Sequence, residues 1–266
     1  MLSYYRAKVI NCYHSQDKPI QTQKQMEERK IKKIFAMVLV LMMVLVSAAS
    51  AESFTFKMGI DAEYPPYSYI DDNGDYAGYD VEMCKAVCDI LGWDLEIVPI
   101  NWDTKLVTLD AGEIDCIWSG LTMTPERIEQ MTFSIPYLAN EQILVVRTDS
   151  GIASKADLTG KVLGTQAGSS SVDVLNANPD LLALYDDFVA ALMDLKLGGI
   201  DVLLIDSVVG NYYIAQQDDP TMFTVLPEVL EAEEYGIAFR KGEQTLADAV
   251  SQQLIDMAND GTLDTI

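Results

Sequence analysis

Residues 119–127 have the sequence Ser-Gly-Leu-Thr-Met-Thr-Pro-Glu-Arg, which places an arginine where helix physics alone would not. Residues 114–118, just before this segment, are predicted to form a short buried strand. Thr124 and Pro125 have the pattern of a helix N-cap followed by proline at the first helical position. Arg127 therefore falls in the first helical turn, where the helix dipole destabilises a cation by up to about 1 kcal/mol unless an anion lies beside it. A local rule broken in this way indicates a functional site.

The anion that best fits Arg127 is a carboxylate, because the planar guanidinium can donate two parallel hydrogen bonds to its oxygens. Ser119, Gly120 and Thr122 at the strand end would contribute backbone groups and hydroxyls to the same site. The alternative is an exposed arginine paired with a glutamate of its own helix. That alternative would be favoured for an isolated arginine, but the nine-residue context favours the anion site.

Residues 119–127 resemble the core motif of the periplasmic amino-acid-binding proteins that serve ABC importers. The ligand core of ionotropic glutamate receptors uses the same fold. Further segments resemble signatures of this family in the same order along the chain. They are residues 59–67 (Gly-Ile-Asp-Ala-Glu-Tyr-Pro-Pro-Tyr), 73–81 (Asn-Gly-Asp-Tyr-Ala-Gly-Tyr-Asp-Val), 205–207 (Ile-Asp-Ser), 235–238 (Tyr-Gly-Ile-Ala) and 260–263 (Asp-Gly-Thr-Leu). The resemblance covers residues 54–266, and the ordered set is far more specific than any single motif.

The resemblance implies an α/β fold of the two-lobed, type II periplasmic-binding-protein class with two hinge crossings. Lobe one would comprise residues 52–140 and 230–266, and lobe two residues 141–229. The crossings would lie near residues 137–142 and 225–234. The resemblance also implies a monomer without catalytic activity or cofactor, which closes around an L-amino acid and delivers it to the membrane permease of an ABC importer.

Short apolar runs that alternate with amphipathic segments independently predict α/β architecture with mainly parallel sheets. Strands are expected near residues 54–60, 94–98, 114–118, 142–147, 161–164, 201–205, 221–225 and 235–239. Helices are expected near residues 80–91, 102–111, 125–130, 170–177, 189–197, 207–217 and 243–259.

A short internal repeat supports the two lobes. The pattern Leu-x-x-Leu-x-x-Gly-x-Ile-Asp occurs at residues 106–115 and again at residues 192–201, each time as a helix end, a glycine stop and a buried strand. A shared helix-to-strand turn without functional meaning would give the same pattern. When the alignment of the two copies is extended along the chain, Gly120 and Asp206 occupy equivalent positions past their strands. Both then lie at the carboxyl edge, where open α/β sheets bind ligands.

A second anion-binding element is predicted at residues 168–171, where Gly-Ser-Ser-Ser indicates a glycine turn that leads into a helix N-terminus. Its backbone N–H groups, with Ser169 and Ser170 as the expected contacts, would assist Arg127. Alone, such a run is more often a plain turn or linker, so this interpretation depends on the place of the run in the family pattern.

Asp206, just past an apolar strand, is predicted to accept the ammonium group of the ligand. The Gly120 carbonyl and the Thr122 hydroxyl would complete this shell. The alternative is that Asp206 caps the N-terminus of the next helix. An acidic partner together with the anion site at Arg127 predicts an α-amino acid zwitterion as the head group.

The pocket for the ligand side chain is predicted by resemblance. Tyr64, Tyr67 and Trp102 match positions that wall the pocket in the family, and Asp61 and Glu63 would reach a cationic or amide end. The alternatives are aromatic packing within the loop and solvent-facing carboxylates. We expect a polar or basic side chain rather than an acidic one, with arginine, lysine, histidine, glutamine and cystine as the leading candidates.

The first 51 residues have the pattern of an export leader. A basic run at residues 30–33 precedes an apolar stretch at residues 34–46 and the cleavage pattern Ala49-Ser50-Ala51. We therefore expect cleavage after Ala51 and a mature chain in the periplasm or on the extracellular face of the membrane. An uncleaved anchor is the alternative, but thirteen apolar residues fall short of the roughly 20 that span a bilayer. Two questions stay open: whether translation starts at Met26, which would make residues 1–25 a mis-assigned start, and whether the C-terminus is truncated, since relatives usually continue past residue 263 further than this chain does.

Composition excludes several function classes. Residues 1–51 hold eight of the 18 Lys and Arg and three of the 41 Asp and Glu, which leaves 10 against 38 and a formal charge of −28. Such a chain repels nucleic acid. The single histidine, His14, lies in the leader, so the mature chain offers no imidazole for a catalytic triad or a zinc site. Cys84, Cys88 and Cys116 are expected to be small core residues.

Two other function classes use the same fold. One is a periplasmic dehydratase of the cyclohexadienyl type, which would need Glu63, Asp61 or Glu141 as its acid or base. The other is a ligand-sensing domain that acts on a separate receptor.

Overall fold

The computed structural model describes residues 53–174, 179–228, 230 and 232–266. The predicted export leader and its cleavage site lie outside these residues. None of the helices within the described ranges has the length and apolar character that crossing a membrane requires.

Strands and helices alternate along the described chain. The strands are β1 (Thr55–Ile60), β2 (Glu63–Tyr64), β3 (Ser68–Ile70), β4 (Tyr76–Ala77), β5 (Asp94–Pro99), β6 (Cys116–Ile117), β7 (Thr132–Phe133), β8 (Leu138–Arg147), β9 (Leu163–Gln166), β10 (Leu182–Tyr185), β11 (Val202–Asp206), β12 (Phe223–Val225), β13 (Ala232–Tyr235) and β14 (Ala238–Phe239). The helices are α1 (Tyr79–Leu91), α2 (Lys105–Asp110), α3 (Pro125–Gln130), α4 (Ser171–Val174), α5 (Phe188–Leu197), α6 (Ser207–Ala215) and α7 (Gln244–Asp260).

Each predicted helix and strand has a counterpart among these elements. The helix predicted at residues 102–111 begins as a 3-10 turn over Trp102–Thr104. The helix predicted at residues 170–177 is described only as α4, because residues 175–178 lie outside the described ranges. The prediction missed β2, β3, β4, β7 and β10, which are too short or too polar for their apolar pattern to stand out.

Two sheets share the same design. The first has the strand order β5-β1-β6-β14-β7, and the second has the order β10-β9-β11-β8-β12, with β13 added to β8. In each sheet the first three strands are parallel, and the fourth is antiparallel to both of its neighbours. Four of the five strands along each path therefore run in one direction, which agrees with the expectation of mainly parallel sheets, and the fourth strand is the exception. The chain reaches the fourth strand of each sheet from the other sheet rather than through a βαβ crossover, so this strand runs the opposite way.

Helices cover the sheets and complete the core. Helices α1 and α7 bury Phe56, Met58 and Trp118 of the first sheet. On the second sheet, Phe188 of α5 and Ile205 of β11 belong to one buried cluster. The three described cysteines are buried and unpaired, in agreement with their prediction as core residues.

The internal repeat adopts the same structure in both sheets. Its glycines end their helices with φ angles of 75° and 85°, in the left-handed region that glycine favours. In the first copy, Asp115 accepts a hydrogen bond from the Lys57 backbone N–H at 2.9 Å. In the second copy, Asp201 accepts from the Val162 backbone N–H at 2.9 Å.

An arginine completes each copy of the repeat. Arg240, just past β14, donates to the Ile114 carbonyl. Arg147, at the end of β8, donates to the Leu195 carbonyl at 2.8 Å and to the Ile200 carbonyl at 3.1 Å. Each arginine therefore ties the fourth strand of its sheet to the helix-to-strand turn of the repeat.

Strands β8 and β13 link the two sheets. They pair antiparallel, with Glu233 opposite Asn140 and Tyr235 opposite Leu138. The chain leaves the first sheet after β7 and enters the second within β8, and it returns between β12 and β14. The polar residues of these two strands therefore lie between the sheets.

Candidate functional site

Arg127 points from the first turn of α3 toward the second sheet. Thr124 caps this helix, since its Oγ1 accepts a hydrogen bond from the Arg127 backbone N–H at 3.2 Å. The guanidinium Nη1 donates to the Thr122 carbonyl at 3.0 Å, and Nη2 donates to the Gly168 carbonyl at 2.9 Å. The arginine thus joins a strand end of the first sheet to the turn that follows β9 of the second.

The Gly168 carbonyl also accepts a hydrogen bond from Lys105, which was not selected from the sequence. The Lys105 Nζ lies 2.6 Å from the Gly168 oxygen and 2.9 Å from the Trp102 oxygen, and 4.8 Å above the Trp102 ring centre. Burial and the nearby Arg127 charge lower the pKa of Lys105 to about 7. Gly168 has a φ of 72°, and a Cβ there would lie 2.8 Å from the Asp103 Cα. The close approach of these two segments therefore requires glycine.

The serine run forms a hydrogen-bonded turn into α4. The Ser171 N–H donates to the Ser169 hydroxyl at 3.2 Å, and the Ser169 N–H donates to the Gln166 carbonyl at 3.2 Å. The Ser170 hydroxyl lies 3.1 Å from the Thr122 hydroxyl. The Ser169 hydroxyl donates to the Ser171 hydroxyl at 3.1 Å, and the Ser171 hydroxyl donates to the Gln142 side chain at 2.6 Å. The Ser169 and Ser171 N–H groups are thus used inside the turn, their hydroxyls donate within the turn and to β8, and the predicted anion site at residues 168–171 stays a prediction.

Asp206 lies at the end of β11 with only 4% of its surface exposed. Its side chain makes no capping bond to α6, so the capping alternative is wrong. Its Oδ1 accepts hydrogen bonds from Asn140 Nδ2 at 2.6 Å, from Gln142 Nε2 at 2.7 Å and from the Tyr235 hydroxyl at 2.8 Å. Burial and, to a lesser extent, the charge of Glu233 raise the pKa of Asp206 to about 6.

Glu233 is a second buried carboxylate beside Asp206, and it was not selected from the sequence. Its Oε2 accepts hydrogen bonds at 3.1 Å from the side-chain amides of both Asn140 and Gln142. It also accepts a hydrogen bond from the Thr122 hydroxyl at 3.0 Å. Side chains of β8, β11 and β13 thus converge on the strand end that carries Thr122.

Asp61 is buried, whereas Glu63 is exposed. The two Asp61 carboxylate oxygens accept from the Glu63 backbone N–H at 2.9 Å and from Gln166 Nε2 at 2.6 Å. Burial raises the pKa of Asp61 above its usual range. The Ser119 hydroxyl accepts from the Asp61 backbone N–H at 3.1 Å. Ser119 therefore holds the Asp61 loop in place, which differs from the direct ligand contact predicted for it.

The predicted aromatic residues are buried near these groups. Tyr64 and Tyr67 stack with ring centres 5.7 Å apart, and Tyr67 meets the edge of Tyr235 at 5.8 Å. The Tyr64 hydroxyl lies 2.9 Å from the Tyr235 hydroxyl. Trp102 is 6% exposed. Tyr64 and Tyr67 therefore pack against Tyr235, which bonds to Asp206. These two tyrosines pack within their loop and also lie beside the site, so both interpretations of them are compatible with the structure.

A cavity of about 10 Å³ lies where these segments meet, close to the volume that one water molecule needs. Its lining consists of Tyr64, Trp102, Gly120, Thr122, Arg127, Gln166, Ser169, Ser170 and Asp206. Eight of the twelve residues selected from the sequence belong to this lining, and Asp61, Glu63, Tyr67 and Ser119 do not. Larger cavities of about 350 and 890 Å³ adjoin α3.

The match to a known protein family covers most of the chain. Residues 56–266 match the bacterial extracellular solute-binding proteins, family 3. The chain belongs to this family. Its two-lobed α/β fold of the type II class agrees with the architecture of solved family-3 relatives. The family-3 proteins that it resembles are substrate-binding proteins rather than enzymes, so the dehydratase alternative is not supported.

Two relatives of this family-3 protein have names that state a ligand. The L-cystine-binding protein TcyJ of Escherichia coli strain K12 is 32% identical over 219 residues, which cover 81% of this chain and 82% of the relative. The arginine-binding extracellular protein ArtP of Bacillus subtilis strain 168 is 32% identical over 215 residues, which cover 79% of this chain and 83% of the relative.

Among solved structures, a substrate-binding protein of an ABC uptake transporter from Streptococcus pneumoniae with bound histidine is similar to this family-3 protein. The TM-score is 0.73 at 37% identity, and the alignment covers 78% of this chain and 88% of that one. Amino-acid binding is therefore the shared property of these relatives, and the solved one is in addition a component of an ABC uptake transporter.

Sequence reasoning missed five polar side chains of this family-3 site. They are Lys105, Asn140, Gln142, Gln166 and Glu233. None of them belongs to the motifs that directed attention to the site. A detectable signal was the alternation of Asn140 and Gln142 along one strand, which places both on the same side.

Proposed function

We propose that this protein binds an L-amino acid in a cleft between its lobes and delivers it to the membrane permease of an ABC importer. One observation carries the proposal: Arg127 and Asp206, a cation from one sheet and a carboxylate from the other, line the same cavity. An α-amino acid presents a carboxylate and an ammonium group together and so matches both. The relatives named for cystine and arginine, and the solved relative with bound histidine, support the same ligand class.

In this proposal the ligand carboxylate binds the Arg127 guanidinium, in which one Nη atom already donates to the Thr122 carbonyl on its own lobe and the other to the Gly168 carbonyl across the cleft. Ser169 and Ser170 are the additional contacts in this proposal, since both residues line the cavity. The carboxylate site therefore combines groups from both sheets.

The ligand ammonium group binds Asp206, with the Thr122 hydroxyl and the Gly120 carbonyl as further acceptors. The Gly120 N–H already donates to the buried carboxylate of Asp80 at 2.8 Å. Its carbonyl is therefore the group that Gly120 can offer to an ammonium, which donates hydrogen bonds only.

We also propose that lobe one comprises residues 52–140 and 230–266 and that lobe two comprises residues 141–229. With these boundaries, several hydrogen bonds join the lobes. They run from Arg127 and Lys105 to the Gly168 carbonyl, between Thr122 and Ser170, from Gln166 to Asp61, and from the Tyr213 hydroxyl to the Glu63 carbonyl at 2.7 Å. These contacts support a closed arrangement as the form that the permease recognises.

The same proposal covers cell location. The family is one of extracellular solute-binding proteins. We propose that the leader is cleaved after Ala51 and that the mature protein acts as a monomer in the periplasm or on the extracellular face of the membrane. A ligand-sensing role for a separate receptor would involve the same binding step, and uptake measured with the reconstituted permease distinguishes the two.

We propose a polar or basic ligand side chain. Asp61 is a buried carboxylate at the edge of the site, and Gln166 of the second sheet bonds to it. Tyr64 and Trp102 provide aromatic walls in the cavity lining. A cationic or hydrogen-bonding end fits these groups, whereas a second ligand carboxylate would face repulsion from Asp61.

A thermal-shift screen of the common amino acids and cystine tests ligand class. Binding to the folded state raises the melting temperature by mass action, by about 5–10 °C at a concentration of roughly 100 times Kd for a chain of this size. We expect arginine, lysine, histidine, glutamine or cystine to give the largest shift, with glutamate and aspartate among the weakest. A largest shift with glutamate would contradict the proposed role of Asp61, and no shift with any amino acid would contradict the function.

Substituting Gly168 with alanine tests the contact between the lobes. The new Cβ would lie 2.8 Å from the Asp103 Cα and 3.0 Å from the Trp102 oxygen. We expect affinity for the amino acid identified by the screen to fall about tenfold, which corresponds to about 1.4 kcal/mol.

Gly160→Ala is the matched control for this substitution. Gly160 has a φ of 78° and open space around its Cβ position. Its substitution by alanine therefore introduces backbone strain without a close contact between the new Cβ and another segment. Calorimetry on both variants measures the difference. An equal loss of affinity in both would mean that strain in the chain, and not the contact of Gly168, is responsible.

A further inference from the structure

Asp206 and Glu233 form a buried pair of carboxylates with shared donors. They are 4% and 8% exposed. Asn140 Nδ2 lies 2.6 Å from Asp206 Oδ1 and 3.1 Å from Glu233 Oε2, and Gln142 Nε2 lies 2.7 and 3.1 Å from the same two atoms. Because a side-chain amide carries two N–H hydrogens, each amide can donate one to each carboxylate. The two acidic groups are therefore held beside each other by a closed set of hydrogen bonds.

Strand geometry explains how the pair is assembled. Asn140 and Gln142 occupy alternate positions of β8 and so lie on one side of it. Glu233 is directly opposite Asn140 in the register of β13. Within the described part of the chain, neither carboxylate takes part in a salt bridge. The pair is stabilised by amides and hydroxyls, so two negative charges lie side by side, and Arg127 is a basic residue that lines the same cavity as Asp206.

Glu233 also fixes the orientation of the Thr122 hydroxyl. This hydroxyl has a single hydrogen, which it donates to Glu233 Oε2 at 3.0 Å. Its oxygen is consequently left as an acceptor, which takes one hydrogen bond from the Ser170 hydroxyl at 3.1 Å and keeps a second lone pair, and Thr122 lines the cavity. An ammonium group only donates hydrogen bonds, so Thr122 serves it only in this orientation.

The second effect of Glu233 is electrostatic. The groups that face Asp206 are Tyr64 of β2, Tyr67 just before β3, Tyr235 and Glu233 of β13, and the amides of β8. Arg127 of α3 lines the same cavity. Burial is the largest cause of the raised pKa of Asp206, and Glu233 is the charged neighbour that raises it further, whereas the hydroxyls and amides stabilise the ionised form. A negative charge that strengthens proton binding at Asp206 also strengthens the binding of an ammonium group there.

We propose that Glu233 is a positioning residue of the ammonium site, which orients Thr122 as an acceptor and supplies a second negative charge that sets the strength and pH range of capture by Asp206. This inference rests on the proposed function and names a further residue of the same site. Through its bonds to Thr122, Asn140 and Gln142, Glu233 connects the ammonium site to β8 and β13, the two strands that link the sheets.

A carboxyl-carbon NMR titration of the protein without added amino acid tests the electrostatic part. Asp206→Asn identifies the Asp206 signal, which should titrate with a midpoint near 6 in the wild-type chain. In Glu233→Gln we expect this midpoint to fall by about one pH unit, since a neighbouring like charge is removed. Glu234→Gln is the matched control, because Glu234 is exposed on the other side of the same strand. An unchanged midpoint in Glu233→Gln would overturn the proposal, whether or not amino acids bind.

Calorimetry with L-arginine, and with L-glutamine as a neutral probe, tests the binding part. At pH 8 we expect Glu233→Gln to bind about three- to tenfold more weakly than the wild-type chain and Glu234→Gln. Between pH 8 and pH 5 the wild-type affinity should fall about tenfold, as Asp206 becomes protonated, and the Glu233→Gln affinity should fall much less. Parallel pH profiles in the two chains would show that Glu233 has only a structural role.

The wild-type chain provides a test that does not depend on folding of the variant. Binding at pH 6, followed in buffers of different ionisation enthalpy, should release about half a proton because Asp206 must ionise. Release of no proton would overturn the proposal. If neither probe binds while the NMR midpoint still moves in Glu233→Gln, the proposed function fails and the coupling of the two carboxylates stands.

Discussion

Arg127→Lys should lose most amino-acid binding while the fold survives. The guanidinium uses two nitrogens at once, donating at 3.0 Å to the Thr122 carbonyl and at 2.9 Å to the Gly168 carbonyl. A lysine ammonium cannot reproduce this planar arrangement or hold a carboxylate bidentately. Loss of one charge-assisted hydrogen bond costs about 1.5–3 kcal/mol, which is about ten- to hundredfold in affinity. Calorimetry with the amino acid identified by the screen measures the effect.

Arg147→Lys is the matched control for this prediction. Arg147 also donates to backbone carbonyls, but those of Leu195 and Ile200 lie within the second sheet. We expect this variant to lower the melting temperature and to keep its affinity, the reverse of Arg127→Lys. Wild-type affinity in Arg127→Lys would mean that the arginine only connects the two segments and does not contact the ligand.

Asp206→Asn should weaken binding by about a hundredfold or more, because it leaves a buried ammonium group without its charged partner. Asparagine keeps the shape and one acceptor oxygen for Asn140, Gln142 and Tyr235. Asp201→Asn, at the other end of the same segment, is the control, since Asp201 bonds to the Val162 N–H away from the cavity. We expect its affinity to remain at the wild-type level.

The stability of Asp206→Asn without amino acid separates a binding role from a structural one. The folded-state pKa of about 6 lies above the ordinary value of 3.8, so the native state binds more protons than the unfolded state between these pH values. Ionised Asp206 therefore opposes folding above pH 6, and the variant should melt no lower than the wild-type chain at pH 8. A much lower melting temperature with unchanged affinity would show that Asp206 is structural.

The site residues that the sequence could predict belong to short motifs near the carboxyl ends of strands. Asp206 ends β11, the serine turn follows β9, and Arg127 lies in the first turn of the helix after β6, and each carries chemistry that is unusual for its position. By contrast, Asn140 and Glu233 lie inside strands, where polar residues at alternate positions look like a solvent-exposed face. Their burial depends on β8 and β13 pairing between two sheets, which no local pattern specifies.

The elements of the fold were predicted more completely than its topology. Apolar periodicity and glycine stops located the helices, because these signals are local. The direction of a strand depends on the sheet that the chain has just left and on the sheet that it enters. The antiparallel placement of β8 and β14 could therefore not be inferred from their apolar pattern. Lys105 was missed for a related reason, since a lysine at the start of a helix is ordinarily exposed and here lies against a turn distant in sequence.

The two arginine-bearing strands have a consequence for how the halves of the molecule depend on each other. Strand β8, which ends at Arg147, belongs to the first half of the chain but is the fourth strand of the second sheet. Strand β14, which precedes Arg240, belongs to the second half of the chain but is the fourth strand of the first sheet. This is the connectivity of a strand-exchanged dimer joined into a single polypeptide. A chain divided between residues 147 and 163 would leave each fragment with a sheet that lacks its fourth strand, so the two fragments should fold only together.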